Sequence, residues 1–120
     1  MPNRIITTEN FRHEAKKLLK KYASLAAELL ILENELLENP TLGVSLGNNA
    51  YKIRLAVKSK GKGKSGGLRV ITYIELLFQE GEINQDILLI SIYDKSEYET
   101  IKQTDLQYLI NIAKEENQSE

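Results

Sequence analysis

Tyr51-Lys52-Ile53-Arg54-Leu55-Ala56-Val57-Lys58-Ser59-Lys60-Gly61-Lys62-Gly63-Lys64-Ser65-Gly66-Gly67-Leu68-Arg69 is the stretch whose reading decides the fold. It opens as an alternating strand, with Tyr51, Ile53, Leu55 and Val57 on one face and Lys52, Arg54 and Lys58 off it. It then breaks into a glycine-rich loop and returns to strand at Arg69. Between Glu38 and Glu75 there is no acidic residue, yet there are seven basic ones: Lys52, Arg54, Lys58, Lys60, Lys62, Lys64 and Arg69. The chain is formally −1, so the rest of it carries −8. Positive charge gathered at one place in a near-neutral protein is the footprint of a polyphosphate-binding surface, and points to RNA.

Outward from that stretch, the two flanks read differently. On the N-terminal side, Ile5 to Thr7 reads as a short strand and Thr8 as the N-cap of a helix. Phe11, Ala15, Leu18, Leu19 and Tyr22 then recur on one helical face. Ser24 reads as the cap of a second helix, with Leu25, Leu29, Leu32 and Leu36 inward, stopped at Asn39-Pro40. Thr41 to Asn49 reads as a turn-rich connection. On the C-terminal side, strands are expected over Leu68 to Phe78 and Asp86 to Tyr93, joined by a hairpin turn at Glu80-Gly81. Ile87-Leu88-Leu89-Ile90 is apolar on both faces, which suits a central strand. Ser96 to Glu99 has the form of a capping box, and Thr104 to Gln107 repeats it at the start of a last helix with Leu106, Leu109, Ile110 and Ala113 inward. The expected fold is α+β: an N-terminal helical hairpin packed on a small, mainly antiparallel sheet of three or four strands, with a C-terminal helix. Residues 1–114 read as one domain and 115–120 as a frayed tail.

At 120 residues the chain suits a single core. No apolar run is long enough to span a bilayer, and the N-terminus lacks the apolar segment of a signal peptide, so a cytoplasmic protein with no membrane partner is expected. Without cysteine there is no disulfide, no thiolate metal site and no thiol nucleophile. The single histidine, His13, sits among lysines on the first helix and reads as a surface residue. With no histidine or carboxylate cluster in the basic stretch, neither metal nor cofactor is expected.

Gly63-Lys64-Ser65 invites a nucleotide-binding reading and fails it. The motif needs a glycine five residues before Gly63, where Lys58 stands, and it must open a helix, whereas this loop leads into a strand. The loop is a cationic arm for phosphates or a solvated hairpin tip. Lys58, Lys60, Lys62 and Lys64 are its candidate RNA contacts. Lys52 and Arg54 lie about 7 Å apart along one strand face, so an anion between them would relieve their repulsion. Asp94, Glu97 and Glu99 read as turn and cap formers. Tyr93 and Tyr98 flank Lys95 after the last strand, and such rings either stack on a base or pack against the last helix.

Two helices, then Tyr51-Lys52-Ile53-Arg54-Leu55, then Gly67-Leu68-Arg69-Val70-Ile71-Thr72-Tyr73, then Leu89-Ile90-Ser91-Ile92-Tyr93-Asp94-Lys95 and a last helix resemble the RelE/ParE superfamily of bacterial toxin–antitoxin toxins, nearest its HigB/RelE-like subgroup. The resemblance covers nearly the whole chain. It implies a RelE-like fold and a ribosome-dependent, metal-independent endoribonuclease that cuts mRNA in the A site, neutralised by a cognate antitoxin protein. The ribose 2′-OH would attack the adjacent phosphate and leave a 2′,3′-cyclic phosphate. By motif position, Lys52 and Arg54 match the basic pair of the family's second strand, Arg69 the arginine after the glycine turn, and Lys95 the basic residue past the last strand. Such chemistry needs a base, cations on the phosphorane-like state and an acid for the leaving 5′-oxygen. The base falls to Lys52 or Arg54, and because arginine stays protonated, Lys52 is favoured. Arg69 and Lys95 would hold the phosphate. Ile101 stands where RelE carries a catalytic tyrosine, leaving Tyr93, Tyr98 or a lysine as the acid. The competing readings are a ParE-like toxin that inhibits gyrase without nuclease chemistry and a non-catalytic RNA-binding module.

Overall fold

The computed structural model describes residues 3–61, 63, 66–97 and 100–118. In chain order the elements are β1 (Asn3–Thr7), α1 (Glu9–Lys21), α2 (Leu25–Glu38), β2 (Val44–Gly47), β3 (Ala50–Leu55), β4 (Leu68–Gln79), β5 (Glu82–Asp94) and α3 (Gln103–Gln118). The α+β class is as expected. The sheet has five strands, in the order β1-β5-β4-β3-β2, against the three or four expected. Three of its pairings are antiparallel, and β1 joins β5 in parallel. The added strand is β2. Gly43 just before it and Gly47 at its end hide its four residues as turn, and Asn48 and Asn49, both at positive φ, form the two-residue turn into β3.

β4 and β5 turn through Glu80 and Gly81, again both at positive φ. They run longer than expected and outlast their neighbours, ending in a two-stranded ribbon where Phe78 faces Ile83 and is 74% exposed. β5 lies inside the sheet, as its two-sided apolar run requires. β3 ends at Leu55 and not at Lys58, although Val57 still reaches the core from the loop.

One sheet face packs α1 and α2 through Phe11, Ala15, Leu18, Leu25, Leu32 and Leu36 against Ile53, Val70, Ile87 and Leu89. The other packs α3 through Leu106, Ile110 and Ala113 against Ile71, Tyr73, Leu88 and Ile90. Each buried Leu or Ile is worth about 1.5–3 kcal/mol over its exposed state. Leu19, read as core, is exposed at the rim of the stripe.

Local caps follow the sequence in part. The Thr8 hydroxyl accepts from the Phe11 amide at 3.2 Å, the expected N-cap. Ser24 makes no cap bond; it is itself helical in φ and ψ, and its hydroxyl turns to Glu28 and Ser59. α3 starts at Gln103, placing Thr104 inside its first turn, while Ser96 folds back on Asp94. The Ser96 capping box depends on Glu99, outside the described residues. Residues 115–118, read as frayed from their polarity, are helical because Asn117 and Gln118 donate to the buried carboxylates Glu75 and Asp86.

A bulge interrupts the central ladder: Ile71 faces Ser91 and Thr72 faces Leu89, which leaves Ile90 over. The freed groups are answered from α1. Asn10 Nδ2 donates to the Ile90 carbonyl at 2.9 Å, and Glu14 Oε1 accepts from Ser91 Oγ at 2.8 Å and from the Ile92 amide at 3.2 Å. Glu14→Ala strands those donors and is expected to cost about 1–3 kcal/mol in urea unfolding, whereas Glu14→Gln, which keeps an oxygen acceptor, costs less.

Candidate nucleic-acid interface

The site grows from the lateral register of three strands. Arg54 of β3 is opposite Arg69 of β4, and Arg69 is opposite Tyr93 of β5. Directly opposed residues share a sheet face at a Cβ spacing of about 4.5–5.5 Å, so the three form one row. Lys52 lies two residues along from Arg54, in the adjacent row with Ile71 and Ser91. Four of the residues singled out by sequence, from three strands, thus meet on the face that carries α3.

They differ in depth. Arg54 and Lys58 are exposed and Lys52 and Lys95 are half-buried. Arg69 is 1% exposed, with Nη1 donating to the Leu68 carbonyl at 3.2 Å. Tyr93 is also buried, in the α3-side core together with Ile101. A ligand arriving from solvent therefore meets Lys52, Arg54 and Lys58 first, with Arg69 and Tyr93 beneath. Ile101 is a core residue on the α3 side.

Lys60 leaves the expected arm. Its Nζ lies 2.5 Å from Asp94 Oδ1, with Lys60 only 13% exposed at the side chain, and 3.4 Å from the Gly67 carbonyl. Asp94 also accepts from the Tyr22 hydroxyl at 2.9 Å and from the Ser96 amide and hydroxyl, each at 2.9 Å. The incoming limb of the loop is held twice more. The Lys58 amide donates to Glu28 Oε2 at 2.8 Å, and the Ser59 amide to Ser24 Oγ at 3.0 Å. Gly67 sits where an added Cβ would strike the Leu55 carbonyl, so glycine is required for the return into β4. Lys62, Lys64 and Tyr98 lie outside the described residues. His13 is exposed on α1, as expected.

Among the described residues no group of three or more His, Asp or Glu side chains is placed to hold a metal, and no helix is long and apolar enough to cross a membrane. What reaches solvent here is Arg54 and, in part, Lys52 on β3, with Lys58 just past it, side chains of the kind that bind backbone phosphates. Comparison with protein-family models and with curated proteins returned no match for this chain.

The anchor of the loop was invisible to sequence reading, because Asp94 follows the last strand and looks like a turn former. Its signal is chemical: burial would raise its carboxyl, but bonds from Lys60, the Ser96 amide, Tyr22 and the Ser96 hydroxyl outweigh that and hold it well below the usual carboxylate range. A depressed carboxylate contributes stability above its unfolded value, near 3.8, and loses it as pH falls toward the folded value. Asp94→Asn, which leaves Lys60 without its counter-charge, is expected to lose about 3 kcal/mol at neutral pH. In urea titrations the gap to wild type should be full between about pH 5 and 7 and close steadily below about pH 4.

Proposed function

We propose that this chain is a RelE/HigB-like toxin: a metal-independent endoribonuclease that cuts translated mRNA in the ribosomal A site and is held in check by a cognate antitoxin protein. The observation that supports this reading is the row Arg54, Arg69 and Tyr93 with Lys52 beside it, assembled from three successive strands. In this reading Arg54 and Lys95 grip the scissile phosphate. Lys52, as the neutral amine, takes the 2′-OH proton as that oxygen attacks phosphorus, and the P–O5′ bond breaks to leave a 2′,3′-cyclic phosphate and a 5′-hydroxyl. Arg69 is a fixed cation beneath the phosphate-facing residues, permanently protonated. With Ile101 in the core, the leaving-group proton comes from Lys95 or from Tyr93, whose hydroxyl belongs to the same row.

One observation favours a second reading. Arg69 and Tyr93 are both buried, which suits an RNA-binding module that grips backbone without cutting it.

Inducing the chain in cells and mapping mRNA 5′ ends separates the two. Cuts within translated frames are expected, and Lys52→Ala and Arg54→Ala, at solvent-reachable positions, should each lower cutting by about a hundredfold while the fold persists. Intact mRNA with bound RNA recovered from the protein would favour the module, and intact mRNA with a DNA-damage response would favour a gyrase-directed toxin. Arg69→Ala is a poor probe, because it empties a buried site and lowers stability with activity.

A further inference from the structure

One face of the molecule carries more apolar surface than its own helices cover. Among the described residues, β3 reaches β4 no further than Tyr73 and β1 reaches β5 no further than Gln85, so the ribbon beyond has only two strands. Ile74, Leu76 and Phe78 alternate onto the side of Ile87, which is the side of α1 and α2. Ile83, opposite Phe78, joins them. Leu76, Phe78 and Ile83 are all exposed, and a two-stranded ribbon is marginal in water unless something covers it.

The uncovered strip continues onto α2. Asn3, in the same cross-strand row as Gln85 and Leu76, donates from Nδ2 to the Leu37 carbonyl at 3.0 Å, which puts the end of α2 at the ribbon's base. Leu37 is exposed there, and Leu30, two turns earlier, is 62% exposed. α2 therefore has leucine on its outer side as well as its inner side, the pattern of a helix covered on both. Beside it, the cleft between α1 and α2 is an apolar groove floored by Phe11, Ala15, Leu19 and Leu29 and edged by Arg12, Lys16 and Lys20. Glu80 and Glu82 flank the ribbon's turn. Neither they nor Lys16 and Lys20 have an ion-pair partner among the described residues.

We infer that the occupant of this face is a second copy of the chain, packed about a two-fold axis near Leu37 so that the ribbon of each copy lies in the α1–α2 groove of the other. A two-fold contact demands a surface that carries its own complement. Here an acidic apolar projection and a basic apolar groove share one face, with Leu37 between them. Phe78 is the anchor and the Glu80–Glu82 turn meets the Lys16–Lys20 rim. Lys52 and Arg54 are on the opposite side of the sheet and stay open, so the inference stands apart from the RNA reading.

Sedimentation velocity on the full chain reads the assembly, and circular dichroism checks that each variant is folded. Wild type is expected to be dimeric at about 100 μM. Phe78→Ser, at a position too exposed to support the monomer's core, raises the dissociation constant by about tenfold or more. Glu80→Lys with Glu82→Lys weakens the dimer, as does Lys16→Glu with Lys20→Glu, and both effects shrink in high salt. All four changes together restore the dimer to within about threefold of wild type. Wild type that stays monomeric at that concentration overturns the inference and leaves the face to a foreign partner. A dimer indifferent to Phe78→Ser overturns it as well. So does a dimer that the charge reversals leave unchanged, or weaken without recovery in the combined variant, because ribbon and groove then do not face each other.

Discussion

The antiparallel ladder between β4 and β5, running from Leu68 opposite Asp94 to Gln79 opposite Glu82, is the constraint on which the rest of the molecule depends. Both of its faces are apolar along the central residues, so each must be covered, and the chain has exactly the helices to do it: α1 and α2 on one side, α3 on the other. The bulge at Ile90 sets the terms of that covering. By leaving backbone groups unpaired in mid-ladder it requires polar side chains at fixed places on α1, and Asn10 and Glu14 are those side chains. Helix position, and not only helix existence, is dictated by the sheet. The same ladder fixes the height of Arg69 against Tyr93, and β3 then brings Arg54 level with them.

Much of this was legible in the residues. The period of two in Tyr51 to Leu55, the two-sided apolar run at Ile87 to Ile90, the Glu80-Gly81 turn and the Thr8 cap each carry a local signal that the structure realises. β2 was not legible, because a four-residue strand preceded by one glycine and ending in another holds too few alternations to register. The candidate site was half legible. Alternation placed Lys52 and Arg54 on one face, but the row with Arg69 and Tyr93 depends on register across a long loop, which no local pattern encodes. Depth was hidden too. Whether an arginine on a strand face is wet or buried is decided by what packs over it, and Arg69 is buried.

The acid-free stretch from 39 to 74 looked like one reservoir of positive charge. Folding divides it. Arg69 goes into the interior, Lys60 is paired with a carboxylate at the end of β5, Arg54 and Lys58 face solvent, and Lys52 is half-buried. Counting charge along sequence therefore overstates what a ligand would feel, and part of the correction comes from Asp94, an acid outside the stretch that pairs with Lys60. A concentrated surface of one sign survives because only part of it is spent on holding the loop.

The parallel pairing of β1 with β5 has a consequence for how the chain comes into being. Arg4 and Asp86, joined by a two-pronged bond, are 82 residues apart. The β1 strand is thus separated from its strand neighbour by most of the domain, and its pairing waits on β5. Meanwhile α1 and α2, whose inward stripes have no sheet to cover, emerge with their leucines unburied. Helices form locally and early, but their docking waits on contacts of long sequence separation, which slows folding.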